Sequence, residues 1–152
     1  MGPKTNVGVD TPQMEAFRDL MRSQAELGRR LDHDLQEEAG LSISEYVVLL
    51  TLRCAPDGSL PVGDLSCEVH LSKSGVTRLV DRMEQAGTVE RAAGQGDRRS
   101  VRACITKKGR GELRAAWPIH RRGIDECFGA SLTDAQARTL SELLRRVTPP
   151  GD

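Results

Sequence analysis

Apolar residues recur at helical spacing through most of the chain. Met14, Phe17, Leu20, Met21, Leu27, Leu31 and Leu35 mark a long first helix. Thr11 is placed to cap it, Pro12 occupies the first turn where its missing N–H costs nothing, and Gly40 ends it. Ser42 and Glu45 form a capping box, in which each side chain satisfies the other's backbone N–H. The segment from Tyr46 to Leu52 that follows is almost wholly apolar, which predicts a second helix at the centre of the core. Pro56-Asp57-Gly58 breaks the pattern. A short third helix is expected after Pro61, over 62–69, with Val62, Leu65 and Val69 on one face. A fourth, over 72–86, opens at Ser72. Val76, Leu79, Val80 and Met83 form its inward stripe, and Lys73, Ser74, Thr77, Arg78, Asp81 and Arg82 lie opposite.

After Gly87 the period changes. Thr88–Ala93 and Val101–Ile105 read as two short strands, the second with Val101, Ala103 and Ile105 on one face. Between them lies a Gly-rich basic turn, Gly94-Gln95-Gly96-Asp97-Arg98-Arg99. Thr106 caps a fifth helix running through Leu113 and Trp117 toward Phe128, with Pro118 inside it and expected to kink it. Thr133 and Gln136 form a second capping box, opening a last helix that Pro149-Pro150 ends. Residues 1–10 are expected to be frayed. The predicted order is α-α-α-α-β-β-α-α, a mainly α (α+β) chain.

Length and composition narrow the class. The 152 residues suit one domain, or one lobe with a few added helices. Aromatic residues make up only 3%, so the core must be built mostly of Leu, Val, Met and Ala. No apolar run is long enough to span a membrane, and the N-terminus lacks a secretory pattern, so no membrane partner and a cytoplasmic location are expected. The four cysteines (Cys54, Cys67, Cys104, Cys127) have no CxxC or zinc-ribbon spacing. They are expected to be reduced and buried rather than bridged. His33, His70 and His120 show no metal-ligand spacing either, and no cofactor is expected. There is no phosphate-binding Gly loop, no HExxH, and no nucleophile placed near a base, which argues against an enzyme.

Net charge is zero, but its distribution is not even. Residues 1–60 carry a balance of −4, whereas residues 70–111 hold ten Lys or Arg against four Asp or Glu. A local basic block in an otherwise acidic or neutral chain is an electrostatic footprint for phosphate.

The same block carries a recognisable arrangement. Two short helices joined by a tight turn at His70-Leu71 read as a helix-turn-helix. The second helix of that motif presents its first turns to base edges in the major groove. Ser72, Ser74 and Thr77 can exchange hydrogen bonds there, and Lys73 and Arg78 can reach phosphates or guanine. A hairpin tipped with Arg98 and Arg99 can lie along the minor groove, where negative potential concentrates. Asp97 beside them makes sense if its carboxylate holds one arginine and shapes the turn.

From about Leu41 to Leu113 these residues resemble the multiple-antibiotic-resistance regulators, the MarR family of winged-helix proteins. The family's wing signature runs D-x-R, five residues, Leu-Thr, two residues, Gly. Here it is Asp97-Arg98-Arg99, then Ser100 to Cys104, Ile105-Thr106, Lys107-Lys108 and Gly109, with Ile in place of Leu. Leu71–Arg91 is similar to the family's recognition helix and its run into the wing, and Pro118 departs from the pattern. The resemblance implies a winged helix-turn-helix with additional N- and C-terminal dimerisation helices: a DNA-binding lobe over 41–106 and a helical dimerisation region over 11–40 and 107–148. It implies a homodimer on double-stranded DNA with a pseudo-palindromic operator, acting as a repressor released by a small-molecule effector. Arg99 would enter the minor groove with Asp97 orienting it, and residues from Ser72 to Arg78 would make the major-groove and phosphate contacts. The broad apolar stripes of the terminal helices independently call for a two-fold partner. His33 and Tyr46 are candidate polar contributors to an effector pocket. Two alternatives stay open: a thiol-based redox-sensing repressor of the same fold, and a winged helix used only for protein contacts.

Overall fold

The computed structural model describes residues 11–94 and 101–148. Its elements are α1 (Pro12–Ala39), α2 (Ile43–Cys54), β1 (Ser59–Pro61), α3 (Leu65–Glu68), α4 (Lys73–Gln85), β2 (Val89–Ala93), β3 (Val101–Ile105), α5 (Lys107–Ile124), a π-helical turn (Asp125–Gly129) and α6 (Asp134–Val147). The three strands form one antiparallel sheet in the order β1-β3-β2.

The caps set the helix boundaries as their chemistry requires. Thr11, Ser42, Ser72, Thr106 and Thr133 each accept a backbone N–H three residues on, and the boxes Ser42/Glu45 and Thr133/Gln136 are both closed. Such a cap contributes on the order of 1 kcal/mol. Burial contributes more. Val76, Leu79, Val80 and Met83 of α4 are all at most 2% exposed, and each buried apolar side chain adds about 2 kcal/mol. These four pack into one core with Leu35, Tyr46, Leu49, Val89, Ala103 and Leu113. The core thus fixes which face of α4 remains outside.

Three expectations need correction. A third strand, β1, precedes the third helix: Ser59, Leu60 and Pro61 pair with Cys104, Ala103 and Arg102. The sheet edge tolerates Pro61, whose missing donor would break a central strand. The third helix is correspondingly shorter than 62–69, because Val62 still bonds to the Val101 carbonyl and Asp64 to the Pro61 carbonyl in a turn. The fifth helix continues through Pro118 to Ile124 and then widens into the π turn rather than running on as an α-helix to Phe128.

Candidate nucleic-acid interface

The turn between α3 and α4 is built around His70, whose φ of 51° places it in the left-handed region. For a residue with a Cβ this costs about 1 kcal/mol. It reverses the chain within Val69–Leu71, so that α4 starts immediately after α3. Ser72 then caps α4: its Oγ accepts the Gly75 N–H at 3.1 Å and lies 3.1 Å from the Ser74 hydroxyl.

The exposed side of α4 divides into two stripes. Lys73, Thr77, Asp81 and Glu84 follow each other at three- and four-residue steps and face the hairpin. Lys73 and Thr77 line a cleft of about 380 Å³ together with Val62, Gly63, Arg91 and Val101. Ser74, Arg78 and Arg82 form the second stripe, exposed and directed away from the core. Thr77 directs its hydroxyl back to the Lys73 carbonyl at 2.9 Å, which occupies its donor and leaves an acceptor. The five recognition-helix residues singled out in the sequence are therefore together on one element, but not on one line. Asp97, Arg98 and Arg99 lie outside the described residues.

The basic block is only partly available to phosphate. Arg91 is engaged internally by Asp81 at 2.7 Å and Glu84 at 2.6 Å. Arg102 hydrogen-bonds the Ser59 carbonyl and hydroxyl, both at 2.8 Å, and reaches Asp57 at 3.3 Å, tying β3 to β1. The same corner holds the Asp57 carboxyl below the ordinary range, chiefly through hydrogen bonding with Ser59. Lys108 donates to the Ala86 carbonyl at 2.6 Å, closing the C-terminus of α4. Lys73, Arg78, Arg82 and Lys107 are exposed and without an ion pair among the described residues. Sequence spacing could not separate the two groups, because each internal partner lies across a chain reversal.

A second concavity, of about 550 Å³, lies between α2 and α5, lined by Leu50, Arg53, Cys54, Arg110, Leu113, Arg114 and Trp117. One turn further along both helices, the Tyr46 and His120 rings meet with centroids 4.4 Å apart. Burial raises the Tyr46 phenol above its ordinary pKa and lowers the His120 imidazole below its own. The Tyr46 hydroxyl is buried and has no hydrogen-bond partner among the described residues. His33, the other candidate, is exposed on α1. The cysteines correct another expectation: Cys54 and Cys67 are exposed, Cys104 and Cys127 half-buried, and all four are free. Among the described residues no three His, Cys, Asp or Glu side chains are grouped to hold a metal. No described helix is long and apolar enough to cross a membrane.

Comparison with known proteins places this geometry. Residues 41–101 match the model of the MarR family. The chain is 26% identical over 140 residues to the transcriptional repressor MprA of Escherichia coli K12, covering 91% of this chain and 78% of MprA. It is 29% identical over 134 residues to the HTH-type transcriptional regulator MhqR of Bacillus subtilis 168, covering 88% and 90%. Among solved structures it is similar to Sco3205, a MarR family transcriptional regulator from Streptomyces coelicolor solved in complex with DNA. That likeness has a TM-score of 0.83 and 26% identity, covering 95% of this chain and 91% of that one.

Proposed function

We propose that the chain is a transcriptional regulator of the MarR family, whose model matches residues 41–101, and that it represses transcription as a homodimer seated on a two-fold operator. The observation that carries the reading is the outward stripe of α4: Ser74, Arg78 and Arg82 stand exposed along a capped helix whose opposite face is locked into the core. A helix so held can enter the major groove without rearrangement, and its free N-terminal amides favour a nearby phosphate. Ser74 and Arg78 are its base readers, and Lys73, Thr77 and Ser72 lie where phosphates and groove edges pass. Arg98 and Arg99, with Asp97 beside them, form the minor-groove contact. The DNA complex of Sco3205 supports this use of the fold, and the naming of MprA as a repressor supports the regulatory sense.

The dimerisation surface is formed by 11–40 and 107–148, and the DNA-binding lobe by 41–106. Phe17, Trp117, Ile124, Phe128, Leu143 and Val147 are 38–67% exposed in the single chain. A second copy covers these apolar side chains. The α2–α5 groove receives the effector. Its apolar floor (Leu50, Leu113, Trp117) and arginine rim (Arg53, Arg110, Arg114) suit a small aromatic or aliphatic acid.

The reading is tested by selecting bound duplexes from fragmented genomic DNA and titrating one of them. Arg78→Ala is expected to weaken binding by about 2 kcal/mol and to relax preference at one base position. Equal affinity of the Arg78→Ala protein for selected and unselected duplexes, at the wild-type level, would refute the assignment.

A further inference from the structure

The inference here rests on the reading of α4 and the hairpin as one DNA-reading unit. Two elements that enter neighbouring grooves of one duplex must keep a fixed offset, or every encounter has to find that offset again. At its start, β2 is tied to α4 by Thr88, whose N–H and hydroxyl both donate to the Met83 carbonyl, at 3.0 and 3.1 Å. Three residues further toward the tip comes the second tie. The Arg91 guanidinium sends Nη2 to Asp81 Oδ1 at 2.7 Å and Nη1 to Glu84 Oε2 at 2.6 Å. The Arg91 backbone N–H also donates to Glu84 Oε1 at 3.2 Å. Both side chain and main chain of the wing strand are thus held by two carboxylates one turn apart on α4. The Arg91 side chain is 25% exposed, so the pair of charge-assisted bonds is partly shielded from solvent and from salt.

Two acidic residues on the wing-facing stripe of a helix meant for a polyanion need a reason. Left free, they would repel phosphate. Bound by a planar guanidinium that fits both at once, they become a bracket. We propose that Arg91 is a positioning residue that locks the wing to the recognition helix, and that Asp81 and Glu84, despite their negative charge, promote DNA binding by anchoring it.

The sign of one effect separates this from simple electrostatics. The double variant Asp81→Asn/Glu84→Gln removes two negative charges from the DNA-reading unit. If charge alone governs, the selected duplex binds it more tightly. With the bracket, binding weakens roughly tenfold, a size usual for coupled polar contacts. Arg91→Ala weakens binding likewise, while the slope of affinity against salt stays at the wild-type value because no phosphate contact is lost. Arg91→Lys, which keeps the charge but cannot fork, falls between. In the free proteins, amide exchange at Arg91 speeds up in the double variant, whereas exchange in the α2 core stays as in wild type, which shows that the variant is folded. Tighter or unchanged binding by the double variant overturns the proposal. So does a salt slope reduced by about one in Arg91→Ala, which would make Arg91 a phosphate ligand. A wild-type chain that binds no duplex would overturn the DNA reading itself, and the proposal with it. Wild-type binding beside a tighter double variant would overturn the bracket alone.

Discussion

Gly109, on the first turn of α5, lies against the backbone carbonyl of Thr88, so close that a methyl group at Gly109 would overlap the oxygen. The same methyl would also meet Leu49 at 3.0 Å and Ile105 at 3.1 Å. Around this contact the Thr106 hydroxyl bonds the Gly87 carbonyl at 2.7 Å and the Thr106 N–H bonds the Thr88 carbonyl at 3.1 Å. The joint is therefore where α5 is fixed to the segment that connects the end of α4 to the start of β2. The obstacle is main chain and core, neither of which moves cheaply. Gly109→Ala is expected to cost about 3 kcal/mol, despite alanine's better helix propensity, which is worth only about 1 kcal/mol. Denaturant unfolding checks this, and a neutral or stabilising result would mean that the joint is loose.

The Tyr46–His120 contact makes a prediction about pH. Burial holds the His120 pKa below its ordinary 6.5, so the unfolded chain takes up its proton first. Its contribution to stability is complete above 6.5 and is lost as pH falls through that value toward the folded one. The melting temperature should drop over that interval, and His120→Phe, which keeps a ring on Tyr46, should flatten the drop. An identical pH profile for the two proteins would show that His120 does not titrate differently on folding.

Much of this architecture can be read without coordinates, because it depends on local chemistry. Caps at Ser42, Ser72, Thr106 and Thr133 act on amides three residues away, and the α4 stripe repeats at helical spacing, so both are visible in the chain. β1 is not visible, since three residues ending in Pro61 carry no alternation and are held only by pairing with β3. The engagement of Arg91 and Arg102 is equally hidden. A count of basic residues treats them as free, whereas Asp81, Glu84, Asp57 and Ser59 reach them only after the chain turns back at Gly87 or the sheet forms. The exposure of Cys54 and Cys67 is hidden as well, because the spacing between cysteines does not determine which side of a helix meets water.

The last helix provides a test of assembly. α6 has a strongly amphipathic pattern but no buried residue in the single chain, with Leu143 at 51% and Val147 at 67% exposure. In light scattering at micromolar concentration the wild-type protein is expected to give the mass of two chains, and Leu143→Glu/Val147→Glu the mass of one. A double variant that stays dimeric would remove α6 from the interface.

Trp117 is the single tryptophan of the chain and lines the α2–α5 groove. Its fluorescence therefore reports on occupancy of that groove. Titration with benzoate, as a minimal aromatic acid, is expected to change the emission saturably in wild type. The response should weaken at least several-fold in Arg114→Ala, which loses a charge-assisted bond. A linear, non-saturating response in both proteins would argue against an acid-binding groove.

The dependence of duplex affinity on salt tests the central claim most directly. A dimer that sets two recognition helices and two basic wings against one duplex should neutralise six or more phosphates. The affinity for a selected operator should then fall with a log–log slope of roughly −5 or steeper, with protection over two half-sites about one helical turn apart. A slope near zero, or no binding to any duplex at low ionic strength, would contradict the account.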